Sequence, residues 1–418
     1  MTQLKDDCFA FGDALIPIDD ALTELKNRLH LMVKSEQVSL NYALNRTLAK
    51  DLIANRNVPP HDNSAVDGYT VNYNDLSASN HTRLPVTGRI VAGDSPKKHI
   101  ITGQATRIFT GAKMPKGADT VFMEEDCQKE GKYVIFPPGL KAGSNRRRAG
   151  EDIKKGSTII SAGERLRPQE IGLAASIGCS QLKVFRRLKA AIFSTGREIR
   201  DPTQRTPESC IFDANRFSVH ALLKNLGVEV TDMGILPDDK IVISQALKKA
   251  AKKHDLLITS GGVSNGEEDH VKDAVKLNGS INLWRLAIKP GRPIALGQVS
   301  KTPFIGLPGN PVAAMVTFMF IARPIILKLA GRNEIQIPRH NVIANFNYKK
   351  KKGRREWVRV CLSHLKNYDI LAQKPVSSGA GILTSMVNAD GLIELPEPSA
   401  GIVAGDTVKF LSFEDMMQ

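Results

Sequence analysis

Residues 256–269 join a short apolar run to two glycines and three carboxylates. The apolar run, 256–260, is long enough for one buried strand, and Gly261 and Gly262 end it. Glycine has no Cβ, so the backbone there can approach a bound group closely, and successive N–H groups can form an anion-binding concavity. The carboxylates that follow could hold a divalent cation against that anion. An ordinary tight turn before a solvated acidic helix start is the alternative for this stretch taken alone.

Two further turns carry groups that could hold an oxyanion. Residues 286–293 place Lys289 and Arg292 around a Pro-Gly turn, where the two cations could clamp a phosphate. Residues 306–311 follow another apolar strand, and their last residue, Pro311, suits the first turn of a helix whose free amides would attract an anion. The alternative for the first segment is surface charge beside an ordinary turn, and the alternative for the second is a rigid strand-to-helix turn without a ligand.

Carboxylates also occur at turns throughout the chain. Each is individually typical of a helix cap or a solvated acid, and no spacing rule brings them together. They are Asp67, Asp152, Glu198, Asp238 and Asp269.

Length and composition indicate a cytoplasmic protein of several domains. At 418 residues the chain is too long for one compact core, which predicts two to four domains. The N-terminus is acidic and lacks an apolar core, so it does not resemble a secretory signal. The longest apolar stretch, 311–330, contains an Arg-Pro pair, which favours a buried helix over a membrane span. Five scattered cysteines without a Cys-x-x-Cys pair suit a reducing cytosol.

The net charge of +15 favours anionic partners. Much of the excess lies in two clusters, 146–148 and 349–355. The second cluster lies between two alternating segments, 341–348 and 356–362, and a solvated hairpin tip explains it without a ligand. Nucleic-acid binding would need aromatic residues among the basic ones, and aromatic content is only 6%. The prediction is therefore no nucleic-acid partner and no membrane.

The pattern of elements predicts four domains. Helical spacing over 18–33 and 168–177 predicts a helical, elongated domain built from residues 1–57 and 147–186. Short β-like runs between Gly, Pro and Asp predict an all-β module, residues 58–146, inserted into it. Alternating segments with turn clusters predict a small β domain or barrel over 332–418.

Residues 187–331 alternate strands and helices, which predicts a parallel sheet covered by helices. One strand ends in Ser194, Thr195 and a glycine, and Asp238 is expected to cap the helix that follows the next strand. Ligands of such sheets bind beyond the carboxyl ends of the strands. The turns at 194–196 and 260–262 are therefore expected to face one crevice.

Seven motifs, in the same order along essentially the whole chain, resemble the molybdopterin molybdenumtransferase family (MoeA and the E domain of gephyrin). They occupy residues 59–69, 110–119, 147–152, 194–196, 260–264, 289–291 and 306–311. The resemblance implies a multi-domain α/β plus β fold. Its central α/β/α parallel-sheet domain would resemble molybdopterin adenylyltransferases, and it would be accompanied by an inserted β module, a helical N-terminal domain and a C-terminal β-barrel.

The resemblance also implies an activity. Family members take adenylylated molybdopterin and molybdate, cleave the pyrophosphate bond with Mg²⁺ or another divalent cation, insert molybdenum into the dithiolene and release AMP. It further implies a homodimer whose cleft lies between the α/β domain of one chain and other domains of its partner. A molybdopterin adenylyltransferase and recipient molybdoenzymes are candidate protein partners.

The functional acids of the family fall on the five carboxylates given above, Asp67, Asp152, Glu198, Asp238 and Asp269. Other matching positions are Thr110, Lys289, Pro308, Pro311 and Ser385, with Ser378 as the alternative to the last. The chain departs from the family in three places. Arg197 stands where many relatives have an acid, Arg285 replaces a lysine, and Asn265 replaces a small apolar residue.

Roles follow as hypotheses. Gly261, Gly262 and Ser264 would cradle the nucleotide-linked phosphates with help from Ser194 and Thr195. Asp238 and Asp269 would hold the metal or order the attacking water. Lys289 and Arg292 would clamp the pterin phosphate or molybdate, and Asp67 and Asp152 would face the site from elsewhere in the dimer. The alternative functions are a molybdopterin adenylyltransferase and a non-catalytic molybdopterin-binding scaffold.

Overall fold

The computed structural model describes residues 15–96, 99–262, 270–333, 336–364, 370–375 and 379–418. A six-stranded sheet lies at its centre. In spatial order its strands are Glu229–Leu236, Lys189–Thr195, Leu256–Ser260, Thr302–Leu307, Pro293–Val299 and Gly279–Arg285. The first four strands are parallel to one another, and Pro293–Val299 is antiparallel to both of its neighbours, so Gly279–Arg285 runs in the same direction as the first four. The predicted parallel sheet is thus present, with an antiparallel hairpin added at one edge.

Helices cover both faces of this sheet. Alternate residues of each strand point to opposite faces, so Ile192, Ile258 and Ile305 belong to one apolar cluster and Phe193, Leu257 and Phe304 to another. The first cluster includes helix Ala214–Asn225 and the helical run Pro311–Leu329, and the second includes helices Lys240–Ala251 and His270–Lys276. The result is a three-layer α/β/α arrangement.

The helical run Pro311–Leu329 consists of Pro311–Thr317, a π-helical turn Phe318–Ala322 and Arg323–Leu329. Its length and apolar character would allow it to cross a membrane, but 83% of its most apolar window is buried inside the protein. It is a core helix, as the sequence predicted. Helix Ile18–Arg28 packs against its last part.

The N-terminus of helix Lys240–Ala251 corrects one prediction. The capping residue is Asp239, whose carboxylate accepts from the amides of Ile241 and Val242 at 2.8 and 2.9 Å. Asp238 lies one residue earlier, and its carboxylate instead accepts from the Thr195 hydroxyl at 3.1 Å. The two adjacent aspartates were indistinguishable as caps in the sequence, and this arrangement leaves Asp238 at the carboxyl end of the sheet.

A second six-stranded sheet forms the β module. Its strands, in spatial order, are Thr120–Met123, Gly68–Val71, Ala105–Ile108, Thr82–Ile90, Tyr133–Phe136 and Gln128–Glu130. Aromatic residues fill its core, with the rings of Phe122 and Phe136 4.8 Å apart. Short 3₁₀ turns occur at Tyr73–Asp75 and Glu124–Asp126.

Chain segments on both sides of this module pair with each other. Strand Ser35–Ser39 is antiparallel to Gln181–Phe185, and Leu52–Ile53 is antiparallel to Thr158–Ile160. Helix Pro168–Ser176 and the turn Leu40–Tyr42 complete this unit, and Asn63–Ser64 pairs with Arg146–Arg147 where the chain crosses to the module. These pairings support the proposed insertion of the module into a discontinuous domain.

The C-terminal part is a closed barrel. Its five strands pair in a ring in the order Arg355–His364, Ile370–Gln373, His340–Ala344, Thr407–Ser412 and Gly391–Leu395, and the last returns to the first. Helices Thr384–Val387 and Phe413–Met416 are its short helical elements. Strand Ile288–Lys289 of the preceding part runs parallel to the start of Arg355–His364 and joins the barrel to the α/β domain.

The basic segment 349–355 is not a solvated hairpin tip, so that interpretation was wrong. Strands His340–Ala344 and Arg355–His364 do not pair with each other, and the intervening Tyr348–Lys349 pairs with Gly401–Ile402. Lys350 is buried, and its ammonium donates to the carbonyls of Glu397 and Ser399. Part of the positive charge therefore stabilises the barrel.

Candidate active site

A cavity of about 540 Å³ lies between the carboxyl ends of the central sheet and the barrel. Six residues predicted from the sequence line it: Glu198, Gly261, Gly262, Lys289, Arg292 and Pro308. Its other wall comes from the barrel and includes Tyr348, Glu356, Trp357, Arg359 and Lys374. One wall is therefore built of strand-end turns and the other of charged and aromatic side chains.

Topology explains why the cavity lies here. From strand Lys189–Thr195 the chain passes through helix Ala214–Asn225 to a strand on one side, and then through helix Lys240–Ala251 to a strand on the other side. The strand order therefore reverses between Lys189–Thr195 and Leu256–Ser260. Loops leaving such strands diverge and open a crevice at their carboxyl ends.

Hydrogen bonds from polar side chains hold two of the turns together. The Ser260 hydroxyl donates to the carbonyl of Pro308 at 2.9 Å, and the Asn215 amide donates to the Ser260 hydroxyl at 2.9 Å and to the carbonyl of Gly309 at 2.6 Å. The amide of Gly261 donates to the carbonyl of Leu307 at 3.0 Å. The glycine turn is thus fixed before any ligand binds, which reduces the entropy lost on binding.

Gly262 has a φ of +65°, and a Cβ built there would lie 2.8 Å from Cγ2 of the buried Val271. We expect Gly262→Ala to lower the midpoint of the thermal transition of the α/β domain, because a left-handed alanine costs about 1–2 kcal/mol and overpacking adds about 1–3 kcal/mol. Gly234→Ala is the matched control, since Gly234 has a φ of +72° but open space around its Cβ position. Equal midpoints for the two variants in differential scanning calorimetry would contradict the close packing at Gly262.

The ammonium of Lys289 lies at the junction of the two walls. It donates to Glu356 Oε2 at 3.1 Å and to the Tyr348 hydroxyl at 3.2 Å. Burial alone would lower the pKa of Lys289, but these two hydrogen bonds outweigh it and the pKa is raised. Arg292, Arg359 and Lys374 also line the cavity, so four cations face a space bounded by backbone amides. Such a site suits an oxyanion or a phosphate.

Two of the predicted carboxylates lie against the turn 194–196. A Cβ at Gly196 would lie 2.8 Å from Glu198 Oε2, and the Thr195 hydroxyl donates to Asp238. Glu198 lines the main cavity, whereas Asp238 and Arg197 line a neighbouring open cavity of about 620 Å³. Ser194 is buried, and its hydroxyl has no hydrogen-bond partner among the described residues.

Other predicted residues lie elsewhere in the described chain. Asp67 is in the β module, where its carboxylate accepts from the hydroxyl and the amide of Thr110, both at 2.7 Å, and these bonds lower the pKa of Asp67. Asp152 is exposed on the segment that follows the module. Ser385 is buried in the barrel and donates to the carbonyl of Ile382. Within the described part of one chain, these side chains do not line the cavity.

Five more positions were named from the sequence. Pro311 is the first residue of its helix, as predicted, and Arg285 ends strand Gly279–Arg285. Ser264 and Asp269 lie outside the described residues, as does Ser378. Their predicted roles stay predictions.

Sequence reasoning missed the barrel wall. Tyr348, Glu356, Arg359 and Lys374 carry no recognisable motif, and they reach the cavity because strand Ile288–Lys289 pairs with Arg355–His364. The sequence did contain one signal. A carboxylate stands next to a tryptophan in an alternating segment, and this combination is unusual for a strand exposed to solvent.

Fold and cavity define an α/β protein with an inserted β module, a C-terminal barrel and a cavity lined by cations between the α/β domain and the barrel. Family models match three consecutive parts of the chain: the MoeA N-terminal region (domains I and II) over residues 16–178, a probable molybdopterin-binding domain over 191–328, and the MoeA C-terminal region (domain IV) over 341–413.

Known proteins agree over nearly the whole length. The molybdopterin molybdenumtransferase of Haemophilus influenzae is 37% identical over 96% of this chain and 100% of its own, and that of Nostoc is 37% identical over 71% of this chain and 70% of its own. A crystal structure of the molybdopterin biosynthesis MoeA protein of Pyrococcus horikoshii matches with a TM-score of 0.81 at 27% identity, covering 96% of this chain and 100% of that one. The chain belongs to the molybdopterin molybdenumtransferase family, and it is an enzyme of molybdenum cofactor biosynthesis.

Proposed function

We propose that this enzyme takes adenylylated molybdopterin and molybdate, cleaves the pyrophosphate bond of the nucleotide, releases AMP and inserts molybdenum into the dithiolene. The observation that carries the proposal is the cavity itself, because it brings a prearranged glycine turn and four cationic side chains together around one space. Both substrates are anionic, and both need charge neutralisation in one confined space.

The residues that surround the cavity have different proposed roles. The turn at Gly261 and Gly262, extended by Ser264, lets the nucleotide-linked phosphates approach the backbone closely, since no Cβ stands in the way. Ser194 adds a hydroxyl donor nearby, and Thr195 contributes by orienting Asp238 through its hydroxyl. Lys289, at the junction with the barrel wall, and Arg292 bind the pterin phosphate or molybdate. Donors that are fixed before the reaction stabilise developing negative charge without reorganising.

A divalent cation, Mg²⁺ in our proposal, would neutralise charge on the phosphate oxygens when bound. The donor set fits a hard cation, since Asp238 offers a carboxylate oriented by the Thr195 hydroxyl at the end of the sheet. Asp269 is the proposed second ligand. Among the described residues no group of three or more His, Cys, Asp or Glu side chains is preorganised for a metal. The substrate phosphates would therefore supply part of the coordination, as is usual for Mg²⁺.

A homodimer would complete the site. Asp67 with Thr110, and Asp152, lie on modules that do not line the cavity of the same chain in its described part. A partner subunit could present these acids to the cleft, so we propose that the enzyme works as a homodimer in the cytoplasm. We also propose that the enzyme exchanges pterin with an adenylyltransferase and with recipient molybdoenzymes.

The proposal is tested by incubating the purified protein with adenylylated molybdopterin, molybdate and Mg²⁺, then measuring AMP and metal-loaded pterin. We expect AMP release that depends on molybdate, and we expect Asp269→Asn to lose it while the circular dichroism spectrum is retained. Consumption of ATP on unadenylylated pterin would favour the adenylyltransferase alternative. Pterin binding without any turnover would favour the scaffold.

A further inference from the structure

Glu356 is a carboxylate in the wall of the cavity that neither the motifs nor the proposed function uses. It is only 1% exposed, so its charge is almost completely removed from water. Three donors surround it: Lys289 Nζ at 3.1 Å and the Tyr348 hydroxyl at 2.8 Å, both on Oε2, and the Arg354 guanidinium at 3.2 Å on Oε1. A buried carboxylate is tolerated only with such complete pairing.

Backbone pairing fixes this carboxylate beside Lys289. Strands Ile288–Lys289 and Arg355–His364 are parallel neighbours, and Lys289 is opposite Glu356 in their register. The side chain of Lys289 is about half exposed, whereas that of Glu356 is buried behind it. The Glu356 carboxylate therefore contacts the Lys289 ammonium from the protein interior and leaves the side of the ammonium that faces the cavity accessible.

The number of N–H donors on the Lys289 ammonium indicates what this arrangement does. Lys289 Nζ has three N–H donors and no acceptor. Glu356 and the Tyr348 hydroxyl receive two of them. Within the described part of the chain the third has no acceptor and is available to a group in the cavity, and because the first two are fixed, its direction is fixed as well.

We propose that Glu356 is a positioning residue for the oxyanion site of the cavity: through Lys289, and with Tyr348 as the shared partner, it orients one ammonium N–H toward bound molybdate. The inference rests on the proposed function, since it takes molybdate as the ligand of Lys289. Tyr348 is the second positioning residue, because its hydroxyl donates to Glu356 while accepting from Lys289.

Charges around Lys289 determine how the site responds to pH. Its ammonium is 5.8 Å from the centre of the Tyr348 ring, and that of Lys374 is 5.2 Å from the same centre. Arg292, Arg359 and Glu198 also line the cavity, and Arg354 lies behind Glu356. Glu356 is the carboxylate among these that contacts Lys289, so its neutralisation removes one of the two contacts that raise the pKa of Lys289 and leaves burial, which lowers it, opposed by the Tyr348 hydroxyl.

A role for Glu356 as a simple countercharge and a role as a positioning residue predict opposite effects of its replacement on molybdate binding. If Glu356 only balanced the cations, replacing it with neutral glutamine would remove a negative charge near an anion site, and molybdate would bind more tightly. If Glu356 positions Lys289, glutamine can accept through only one oxygen, so its NH2 group must face either Arg354 or the donors on Oε2. The ammonium then loses its charged acceptor and its fixed orientation, and molybdate binds more weakly. The two roles therefore predict opposite signs.

The test is equilibrium binding of molybdate to the full chain by isothermal titration calorimetry, with the KM for molybdate in the AMP-release assay as the second readout. We expect Glu356→Gln to weaken molybdate binding about tenfold at pH 7, the effect of losing one charge-assisted hydrogen bond. The loss should grow between pH 7 and pH 9, because deprotonation of Lys289 begins at a lower pH in the variant. Glu356→Asp should recover part of the affinity.

The matched control is Glu394→Gln. Glu394 lies opposite Trp357 on the neighbouring barrel strand and pairs with Arg339 at 2.7 Å, but it is not among the described lining residues. Its molybdate affinity should equal that of the unaltered protein. Equal or tighter binding by Glu356→Gln, or an unchanged pH profile, would overturn the inference.

Two further outcomes are separated by design. If the unaltered protein binds no molybdate, the proposed function fails at this cavity, and the inference fails with it. If Glu356→Gln does not fold, Tyr348→Phe decides, because it removes only the shared hydroxyl and keeps the ring. We expect molybdate binding about threefold weaker in Tyr348→Phe, a modest effect typical of one neutral hydrogen bond. An unchanged affinity in that variant would refute the inference.

Discussion

Lys289→Met is expected to reduce molybdate-dependent AMP release by about 10²–10³-fold in kcat/KM, the usual effect of removing one fixed electrostatic donor from an active site. Methionine keeps much of the volume of the side chain but removes the cation that both walls of the cavity hold in place. The loss should appear in kcat as well as in KM if the contact strengthens in the transition state.

Lys349→Met is the matched control for this prediction. Lys349 follows Tyr348 on the same short strand, is exposed and is not among the described lining residues. The Lys349→Met variant removes the same formal charge next to the lining residue Tyr348, so a general electrostatic effect on substrate attraction would appear in both variants. Similar losses in the two variants, or a loss below about fivefold in Lys289→Met, would argue against a direct role for Lys289.

The α/β domain was predictable from the sequence because its strands are buried on both faces. Leu256–Ser260 is buried at every position, and such a strand appears in the sequence as a continuous apolar run. The glycines that end these runs then mark the carboxyl edge of the sheet. This reasoning predicts that Gly261 and Gly262 lie at the crevice, whereas Lys289 was a candidate from its own turn and Pro308 came from the family resemblance; all four line the cavity.

The barrel wall was not predictable in the same way. Tyr348 and Glu356 reach the cavity through a parallel pairing of two residues from each strand, Ile288–Lys289 with Arg355 and Glu356, and periodicity carries no information about so short a contact. The basic segment after Tyr348 was misinterpreted for a related reason. Alternating segments separated by a charged tip predict a hairpin, but closure of the barrel pairs each of them with more distant strands.

Arg216→Met is expected to destabilise the α/β domain by about 3–5 kcal/mol, because it leaves paired carboxylates without their cation. Arg216 is 4% exposed and contacts three of them: Asp213 at 2.9 Å, Asp201 and Asp232. Burial alone would lower the pKa of Arg216, but the hydrogen bonds that it donates to these carboxylates, together with their negative charge, outweigh burial and the pKa is raised. The guanidinium thereby joins helix Ala214–Asn225, strand Glu229–Leu236 and the loop of the second cavity.

Unfolding of a chain with several domains is not two-state, so the measurement should be local. Hydrogen exchange of the amides in helix Ala214–Asn225 should accelerate about 100-fold or more in Arg216→Met, the factor that corresponds to about 3 kcal/mol of local opening. Lys189→Met is the control on the same sheet, since its ion pair with Glu229, at 3.9 Å, is exposed on both sides and contributes less than about 1 kcal/mol. The prediction fails if amide exchange in Arg216→Met is no faster than in Lys189→Met. The three carboxylates would then be solvated or bound to other partners without the arginine, and the wall of the second cavity would not depend on Arg216.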